Sequence, residues 1–352
     1  MSNIEPSTPL VSVIICTYNR CESLSKALQS LERMPVPADL IWELIVIDNN
    51  SSDETPELVK AVIHAGTALP LKYVFESIPG LSCARNRGIG ETRGEIIAFL
   101  DDDVVVSPQW LVEVRRAFQL YNAICAGGRV LLHESSPHPS WWDNRYNVAV
   151  GEFDRGIEAI IDNREETLIG IGANIIFRRS AFDLCGGFRT DMGRNAGQLT
   201  TGEETDMVQR LRQQKQCVMY YPDALVYHCV PAERFSKRYL RQHFYNSGRW
   251  YFLKELEAPN MGTRVLEVPR WRYRAVLNRG GKLISSFLQG RRAEAFSEQL
   301  QIAFFLGYFS AAQQSRRMPH SKSIHSTLTS APLADAAEEI GELVTRQKDD
   351  GR

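Results

Sequence analysis

Paired cysteines, secretion signals and long apolar runs are all missing from this sequence of 352 residues. The seven cysteines are scattered and include no CxxC pair, which is typical of reduced thiols in a cytoplasmic protein. The first residues, "MSNIEPSTPL", lack the charged and apolar regions of a signal peptide. The longest strongly apolar run, "LQIAFFLGYFSAA" at 300–312, has thirteen residues and is too short to span a bilayer. We therefore expect a cytoplasmic protein that is soluble or peripherally attached to a membrane.

The chain also lacks a substantial net charge, which is only −1, but its charged residues are unevenly distributed. Residues 233–292 contain fourteen Lys and Arg against four Glu, or +10, which leaves −11 for the rest of the chain. The aromatic and basic residues that interleave there are Phe235, Tyr239, Trp250, Phe252, Trp271 and Tyr273 with Arg234, Lys237, Arg238, Arg241, Arg249 and Arg272. Two interpretations stay open, a surface for anionic lipid headgroups or a lipid-diphosphate acceptor, and a packed helical hairpin with a solvated basic face. No known nucleic-acid module is present, so we expect no nucleic-acid partner.

Short apolar runs alternate with helical patterns along the first part of the chain. The strand candidates are "LVSVIIC", "WELIVI", "LKYVFES", "EIIAFL" and "AICAGGRVLL". Further on, "TLIGIGANIIF" predicts two short strands, and "CVMYYPDALVYH" predicts two strands separated by a turn at Pro222-Asp223. Strands that alternate with helices of ten to fifteen residues imply βαβ units and a mostly parallel sheet.

This alternation predicts the fold class and the domain organisation. Residues 1–230 are predicted to form an α/β domain, Rossmann-like, with a mostly parallel central sheet flanked by helices. Residues 231–313 are predicted to form a basic, aromatic, helical C-terminal extension. The polar residues 314–352 are predicted to be a disordered tail.

Polar side chains follow three of the predicted strands. Residues 17–20, 48–53 and 101–103 each come directly after a strand, and the carboxyl ends of parallel strands share one edge of the sheet. The last of these ranges, "DDD", crowds three carboxylates together, which requires nearby positive charge. Such a cluster binds a divalent cation or caps a helix, and Asp103 lies too far before Pro108 to cap the helix that starts there. Mg²⁺ or Mn²⁺ is therefore the expected cofactor.

Six segments together resemble the family 2 inverting glycosyltransferases with the GT-A fold. They are "VSVIICTYNR", "LIVIDNNSSDET", "GLSCARNRGI", "GEIIAFLDDD", "GEETDMVQRL" and "YYPDALVYH", in the family's order across roughly residues 10–230. The resemblance implies a GT-A-like fold, a nucleotide-sugar donor such as a UDP-sugar, a divalent metal and transfer with inversion. It also implies a glycan or lipid-linked acceptor in surface polysaccharide biosynthesis, at the inner face of the plasma membrane.

The resemblance assigns donor contacts residue by residue. The implied donor-binding residues are Thr17, Tyr18, Arg20, Asp48, Arg85, Asn86, Asp101 and Asp102. Asp48 matches the aspartate that contacts the nucleotide base, although a turn-forming role in "DNNSSD" is the alternative. Arg85 offers forked donors for phosphate or base edges, against the alternative of a solvated helix arginine.

The resemblance also implies a metal site and a catalytic base. Asp101 and Asp103 match an Asp-any-Asp metal motif, with Asp103 as the direct ligand and Asp102 in support. His228 matches a histidine that completes the metal site, and a structural histidine is the alternative. Glu204 matches the base that takes the acceptor proton, with Glu203 as its neighbour, and which of the two acts stays open. Both carboxylates also suit the start of a helix, and the two roles are compatible.

Two rival functions are weighed against this one. A sugar-phosphate nucleotidyltransferase would be expected to carry a glycine-rich phosphate loop near residue 15, and "CTYNR" contains no glycine. A catalytically dead nucleotide-binding scaffold would be expected to lose its acidic residues first, whereas "DDD" and "GEET" are intact. The sequence therefore favours an active glycosyltransferase.

Overall fold

The computed structural model describes residues 10–134, 136, 138–164, 167–192, 194–195, 198–199, 202–256 and 264–317. These residues form two compact units. The first comprises the residues up to 137 together with Gly151–Val230, and the second comprises His138–Val150 together with the residues from 231 onward. The domain boundaries expected from the sequence stay a prediction, and the expected tail beyond residue 317 lies outside the described residues.

The first unit is built around one mixed sheet. Its strands are β1 (Val11–Thr17), β2 (Trp42–Asp48), β3 (Leu71–Phe75), β4 (Ile96–Asp101), β5 (Val104–Val106), β6 (Cys125–Leu132), β7 (Ile160–Ile161), β8 (Asn174–Arg178) and β11 (Val218–His228), with β9 (Arg194–Asn195) and β10 (Gln198–Leu199) forming a separate hairpin. Its helices are α1 (Cys21–Glu32), α2 (Thr55–His64), α3 (Leu81–Glu91), α4 (Trp110–Leu120), α5 (Ser180–Cys185) and α6 (Glu203–Gln213). The strand order is β3-β2-β1-β4-β8-β6-β11-β5, with β7 paired to β11.

Six of these strands run in one direction, as the sequence predicts. β1, β2, β3 and β4 pair in parallel, and β6 and β11 pair in parallel further along the sheet. β8 lies between β4 and β6 and is antiparallel to both, so those two strands keep the same direction. The predicted α/β class with a mostly parallel central sheet flanked by helices is confirmed.

Alternation along the strands explains how both faces of the sheet are covered. Val11, Val13 and Ile15 of β1 belong to a core formed with α1, α2 and α4, whereas Ile14 belongs to a second core formed with α3, α5 and α6. Successive side chains of a strand point to opposite faces, so an unbroken apolar run buries both sides. This is why the runs that predicted the central strands contain almost no polar residue.

The register brings the polar strand ends to one edge. Thr17 pairs with Asp48 on one side of β1, and Cys16 pairs with Asp101 on the other. A second pairing, between β5 and β11, sets Val104 opposite His228 and so places the histidine beside the aspartate triplet. The expectation that these strand ends converge is confirmed.

Two local predictions were wrong. The expected turn at Pro222-Asp223 is absent, because β11 continues through it with a register shift along β6 between Tyr221 and Val226. Such a bulge accommodates a proline, which cannot donate to the ladder. The stretch expected to hold two strands before α5 contains only β8, and residues 167–170 are irregular. There Gly170 lies against Gly127 so closely that an added Cβ would come within 2.6 Å of the neighbouring Cα.

The second unit is helical, as predicted for the C-terminal extension. Its elements are two 3-10 turns (Asn144–Val150 and Ala232–Arg234), the hairpin β12–β13 (Arg264–Val265 and Val268–Pro269), and the helices α7 (Lys237–Leu256), α8 (Arg270–Leu288) and α9 (Arg292–Arg317). α7 and α9 cross at glycines: a Cβ on Gly248 would lie 1.9 Å from the Phe304 carbonyl oxygen, and one on Gly307 would lie 1.8 Å from that of Tyr245. Within the described residues, no helix is both long and apolar enough to cross a membrane.

Most aromatic residues of this unit pack inside it. The Trp142 ring lies 4.8 Å from Phe235, and the Trp141 ring lies 5.8 Å from Phe296. Phe252 is fully buried against Tyr308, and Tyr273 stacks on Phe309 at 5.3 Å. The aromatic residues that interleave with basic ones in the sequence therefore serve largely as core.

A charged cluster lies in the interior of the second unit. The Arg272 side chain is fully buried, forms an ion pair with Glu255 and stacks on the rings of Tyr308 and Trp271. The Tyr308 hydroxyl donates to the other oxygen of Glu255. Burial, followed by this hydrogen bond, holds the pKa of Tyr308 well above its ordinary value. One carboxylate thus compensates a buried guanidinium.

We expect Glu255→Gln to lower the free energy of unfolding of this unit by about 3–5 kcal/mol, because it leaves a buried guanidinium without its counter-charge. Urea unfolding followed by tryptophan fluorescence measures it, since Trp141, Trp142, Trp250 and Trp271 lie in this unit. Glu294→Gln, which breaks an exposed pair with Arg291, is the control and should change the stability by less than about 1 kcal/mol. Equal losses of stability in the two variants would contradict the role of Glu255 as the counter-charge of Arg272.

Candidate active site

The carboxylates of the "DDD" triplet are compensated by side chains from other elements. Asp102 accepts hydrogen bonds from the Thr17 hydroxyl at 2.7 Å and from Arg20 Nη1 at 3.1 Å. The same Arg20 nitrogen lies 2.6 Å from Asp103 Oδ2. Burial raises the pKa of Asp102 to about 7, while Arg20 acts in the opposite direction and Asp103 raises it further. Asp102 therefore makes internal contacts, its contact with the donor stays a prediction, and Arg20 supplies positive charge to the triplet.

Asp103 also faces the predicted histidine. Its Oδ1 lies 3.1 Å from His228 Nε2, and both side chains are almost fully buried. Two ligand atoms at right angles on an octahedral ion of this size lie about 3.0 Å apart, so this pair fits two adjacent positions of a Mn²⁺ or Mg²⁺ site. Gly151 packs against the ring, since a Cβ there would come within 2.7 Å of Nδ1. The residues present therefore fit a divalent cation with two protein ligands.

Asp101 is more exposed than that pair. Its side chain is one-third exposed, and its Oδ1 lies 3.9 Å from Arg85 Nη2. Among the residues that the structure describes, no group of three or more His, Cys, Asp or Glu side chains is arranged to hold a metal. The structure thus brings two of the three predicted ligands together, and a metal contact of Asp101 stays a prediction.

Arg85 is buried beneath the predicted catalytic carboxylates. Its Nη1 donates to Glu203 Oε1 at 2.6 Å, and its guanidinium lies over the rings of Phe99 and Phe188. Burial acts to lower the pKa of Arg85, but Glu203, Glu204 and Asp101 together raise it above its ordinary value. A Cβ on Gly172 would lie 2.4 Å from Nη2, so the glycine makes room for the arginine. The solvated helix arginine considered above is excluded, and a contact of Arg85 with the donor stays a prediction.

The two adjacent glutamates of α6 have different surroundings. Glu203 is buried and paired with Arg85. Glu204 is partly buried, and its Oε2 has no hydrogen-bond partner among the described residues. Burial, and then the charge of Glu203, raises the pKa of Glu204 to about 7, while Arg85 acts in the opposite direction. Glu204 is therefore the carboxylate of this pair that can take up a proton near neutral pH.

Asp48 and Asn86 both make internal contacts. Asp48 is fully buried, and its two oxygens accept from the Ser51 N–H at 2.9 Å and the Tyr73 hydroxyl at 2.7 Å. Carboxylate oxygens have further acceptor capacity, so a base contact of Asp48 stays a prediction beside the turn-forming role that the structure shows. The Asn86 amide donates to the Phe188 carbonyl oxygen and accepts from its N–H, both at 2.8 Å. Its contact with the donor likewise stays a prediction. Tyr18 is half exposed at the same sheet edge.

Two asparagines that are not among the predicted site residues, Asn19 and Asn49, connect the loops of this edge. The Asn19 Oδ1 accepts from the backbone N–H groups of Ser52 at 2.7 Å and Asp53 at 3.3 Å. Asn49 Nδ2 donates to the Ile78 carbonyl oxygen, and its Oδ1 accepts from the Gly80 N–H, both at 2.7 Å. The signal for Asn19 is its left-handed backbone, with φ of 52°, which asparagine tolerates better than most residues. The sequence alone does not reveal that conformation.

The site consists of two neighbouring clusters at one sheet edge. The first cluster contains Thr17, Arg20, Asp102, Asp103 and His228. The second contains Arg85, Glu203 and Glu204, and Asp101 approaches it through Arg85. The Asp103–His228 pair, which fits two positions of a cation site, thus lies at strand ends, and Glu204, whose pKa is raised, lies at the start of α6.

Comparison with known proteins gives a consistent result. Residues 12–185 match the model of the family described as glycosyl transferase family 2. The succinoglycan biosynthesis protein ExoM of Rhizobium meliloti is 28% identical over 240 residues, 68% of this chain and 73% of its own. The glucosyl-dolichyl phosphate glucuronosyltransferase of Haloferax volcanii is 27% identical over 229 residues, 62% of this chain and 68% of its own. A solved mannosyltransferase from Pyrobaculum calidifontis, in complex with GDP-Man and Mn²⁺, superposes with a TM-score of 0.52 at 18% identity, covering 96% of this chain and 80% of its own.

We expect Asn86→Ala to reduce the stability of the first unit by about 1–3 kcal/mol, because it leaves the backbone polar groups of the buried Phe188 unpaired. Chemical unfolding measures this, and calorimetric titration with UDP and Mn²⁺ on the same variant measures nucleotide affinity. Gln213→Ala, which removes an exposed amide, is the control and should change the stability by less than about 0.5 kcal/mol. A large loss of nucleotide affinity with unchanged stability would instead show Asn86 to be a donor contact.

Proposed function

We propose that this chain, which belongs to glycosyltransferase family 2, transfers a sugar from a nucleoside-diphosphate donor, with inversion, to a glycan or lipid-linked acceptor. One observation carries the proposal: the Asp103–His228 pair and the proton-accepting Glu204 lie in neighbouring clusters at the carboxyl edge of one sheet. Ligands of open α/β sheets bind at this edge. The arrangement provides both a place for the charged donor and a base for the acceptor.

The donor is proposed to be a UDP-sugar bound along the ends of β1, β2 and β4. Asp48, Tyr18 and Arg20 would line the nucleoside and ribose side, and Asp101 would lie toward the sugar-phosphate side. Arg20 is one-third exposed, so its guanidinium has surface left for a phosphate or ribose oxygen. The mannosyltransferase named above binds GDP-Man, so nucleotides other than UDP belong in the test.

Asp103 and His228 are the proposed holders of a Mn²⁺ or Mg²⁺ ion. When bound there, the ion would supply positive charge to the diphosphate as it leaves. The protein's own part is to present Asp103 Oδ1 and His228 Nε2 on buried, supported side chains. Arg20 fixes the other Asp103 oxygen at 2.6 Å, so the carboxylate has one defined orientation.

Glu204 is the proposed catalytic base. The acceptor hydroxyl oxygen forms a bond to the anomeric carbon, the bond from that carbon to the diphosphate oxygen breaks, and the hydroxyl proton moves to Glu204. The nucleoside diphosphate leaves with the electrons of the broken bond. Glu203 is committed to Arg85 and would hold the start of α6 in position rather than take the proton.

The relatives support the acceptor class and the biological setting. One is named for succinoglycan biosynthesis, and the other for transfer to a glucosyl-dolichyl phosphate. We therefore propose that this chain acts in polysaccharide biosynthesis on a glycan that is free or lipid-linked.

The first test is the release of nucleoside diphosphate from a panel of nucleotide sugars, beginning with UDP-sugars, in the presence of Mn²⁺. We expect release from one donor, and EDTA should stop it. Asp103→Asn and His228→Gln should each lower the rate about 100-fold or more, because several kcal/mol of charge stabilisation depend on the ion. Asp39→Asn, which removes an exposed carboxylate of the same unit, should leave the rate unchanged.

Two outcomes would count against the proposal. Release that is indifferent to EDTA would contradict the cation site. Absence of release from every donor, with glycan acceptors present and with no calorimetric binding of nucleoside diphosphate and Mn²⁺, would contradict the function.

The second test separates the two glutamates by pH. The turnover rate should rise as the pH increases through about 7, because only the ionised form of Glu204 accepts a proton. Glu204→Gln should lower turnover by about 10²–10⁴-fold. Glu203→Gln should retain activity but shift the rise to lower pH, since the charge of Glu203 raises the pKa of Glu204 while Arg85 and Asp101 remain nearby. If Glu203→Gln is the inactive variant and Glu204→Gln keeps the wild-type pH profile, the assignment is reversed.

A further inference from the structure

The outer face of α8 combines exposed apolar and basic side chains. Arg270, Arg274, Leu277, Ile284 and Leu288 recur at steps of four, three, seven and four residues, so they lie along one side of the helix. Leu277 is 75% exposed, Ile284 62%, Leu288 79% and the adjoining Phe287 74%. Several large apolar side chains exposed on one helix mark an interaction surface. We call these six residues the α8 outer face.

The opposite side of α8 is already occupied. Arg272 and Ser286 are buried, and Ser286 Oγ donates to Glu294 at the start of α9 at 3.4 Å. Arg279 of α8 forms an ion pair at 3.2 Å with Glu298 of α9. The packing side of α8 thus includes polar and basic side chains, and several of its large apolar residues are left outside.

The charge of this helix is of one sign. The sequence of α8, "RWRYRAVLNRGGKLISSFL", contains no Asp or Glu. Arg270, Arg274 and Lys282 are exposed, and none of them forms an ion pair with another residue in the described ranges. Within the second unit, positive charge therefore accompanies the exposed apolar side chains without internal compensation.

We propose that the α8 outer face binds the surface of an anionic lipid bilayer, with the helix lying in the interfacial plane. Helices that bind in this way carry Leu, Phe or Trp on one face together with Lys and Arg, and gain from both apolar insertion and attraction to anionic headgroups. Charge complementarity favours this occupant over a second copy of the chain, whose own α8 would present the same positive charges. Binding of this kind would bring the chain to a membrane without a spanning helix.

Vesicle sedimentation with the full chain tests the proposal. Wild-type protein should bind vesicles of phosphatidylcholine mixed with phosphatidylglycerol, should bind phosphatidylcholine alone weakly, and should be released as the salt concentration rises. The triple variant Arg270→Gln, Arg274→Gln, Lys282→Gln should bind anionic vesicles about 100-fold more weakly, at about fivefold for each charge. Leu277→Ser, Ile284→Ser and Leu288→Ser should each weaken binding about tenfold.

A matched control removes three exposed basic residues from the first unit, Arg33→Gln, Arg116→Gln and Lys215→Gln. This variant has the same net charge as the α8 triple variant, and it should bind vesicles like the wild type. All the variants substitute exposed positions, so their unfolding curves and their release of nucleoside diphosphate from a soluble donor should match the wild type. Because the release assay contains no lipid, failure of the proposed function and failure of membrane binding give different results.

Three results would overturn the proposal. The first is that the wild type fails to bind anionic vesicles. The second is that the α8 and control triple variants lose vesicle binding equally. Alternatively, sedimentation equilibrium shows a dimer that Leu277→Ser disrupts, in which case the face is an interface between copies of this chain.

Discussion

Like charges at the end of a buried strand are tolerated only where other elements bring positive charge and hydrogen-bond donors to them. Here Asp102 and Asp103 share the Arg20 guanidinium, Asp102 also accepts from Thr17, and Asp103 faces His228. Thr17 ends β1, Arg20 follows it and His228 ends β11, so the compensation requires the sheet to be assembled. Sheet register and site electrostatics are therefore one constraint, since a slip of one residue would turn these side chains to the opposite face.

The same compensation divides the carboxylates by role. A carboxylate that is buried and paired with an arginine is held in place, which describes Glu203 beside Arg85. Glu204 receives the repulsion of its neighbour without such a partner, and its pKa is raised to about 7. Two adjacent residues of one type thus acquire different chemistry from their surroundings, as pairs of catalytic carboxylates commonly do. The proposed roles follow from the position of one buried guanidinium.

Local patterns in the sequence were sufficient to predict the sheet and the convergence of its polar strand ends. Apolar runs such as 11–16 and 96–100 are long enough to be buried on both faces, and the polar residues after them can only lie at the sheet edge. The features that local patterns did not predict depend on residues that are distant in the sequence. Pro222 indicated a turn, but pairing with β6 and β5 on either side of β11 kept the strand continuous through a bulge. The hydrogen bonds between Asn86 and Phe188 connect residues that are 102 positions apart in the sequence, and no local pattern predicts them.

The second unit also shows that local sequence patterns do not decide which side chains are buried. In sequence, its interleaved aromatic and basic residues left open whether they form a binding surface or a packed helical hairpin with a solvated basic face. Yet Phe252 and Tyr308 are buried with Arg272, which is neutralised by Glu255, while aliphatic residues of α8 remain outside beside arginines that have no acidic neighbour on that helix. A buried arginine is acceptable where one carboxylate and several ring faces surround it, and an exposed leucine is acceptable where another apolar phase is available to it. Composition fixes how many such residues exist, but packing against α9 decides which of them face outward. The outer surface of α8 is therefore a property of the helix pair, and the partner proposed for it is both apolar and negatively charged.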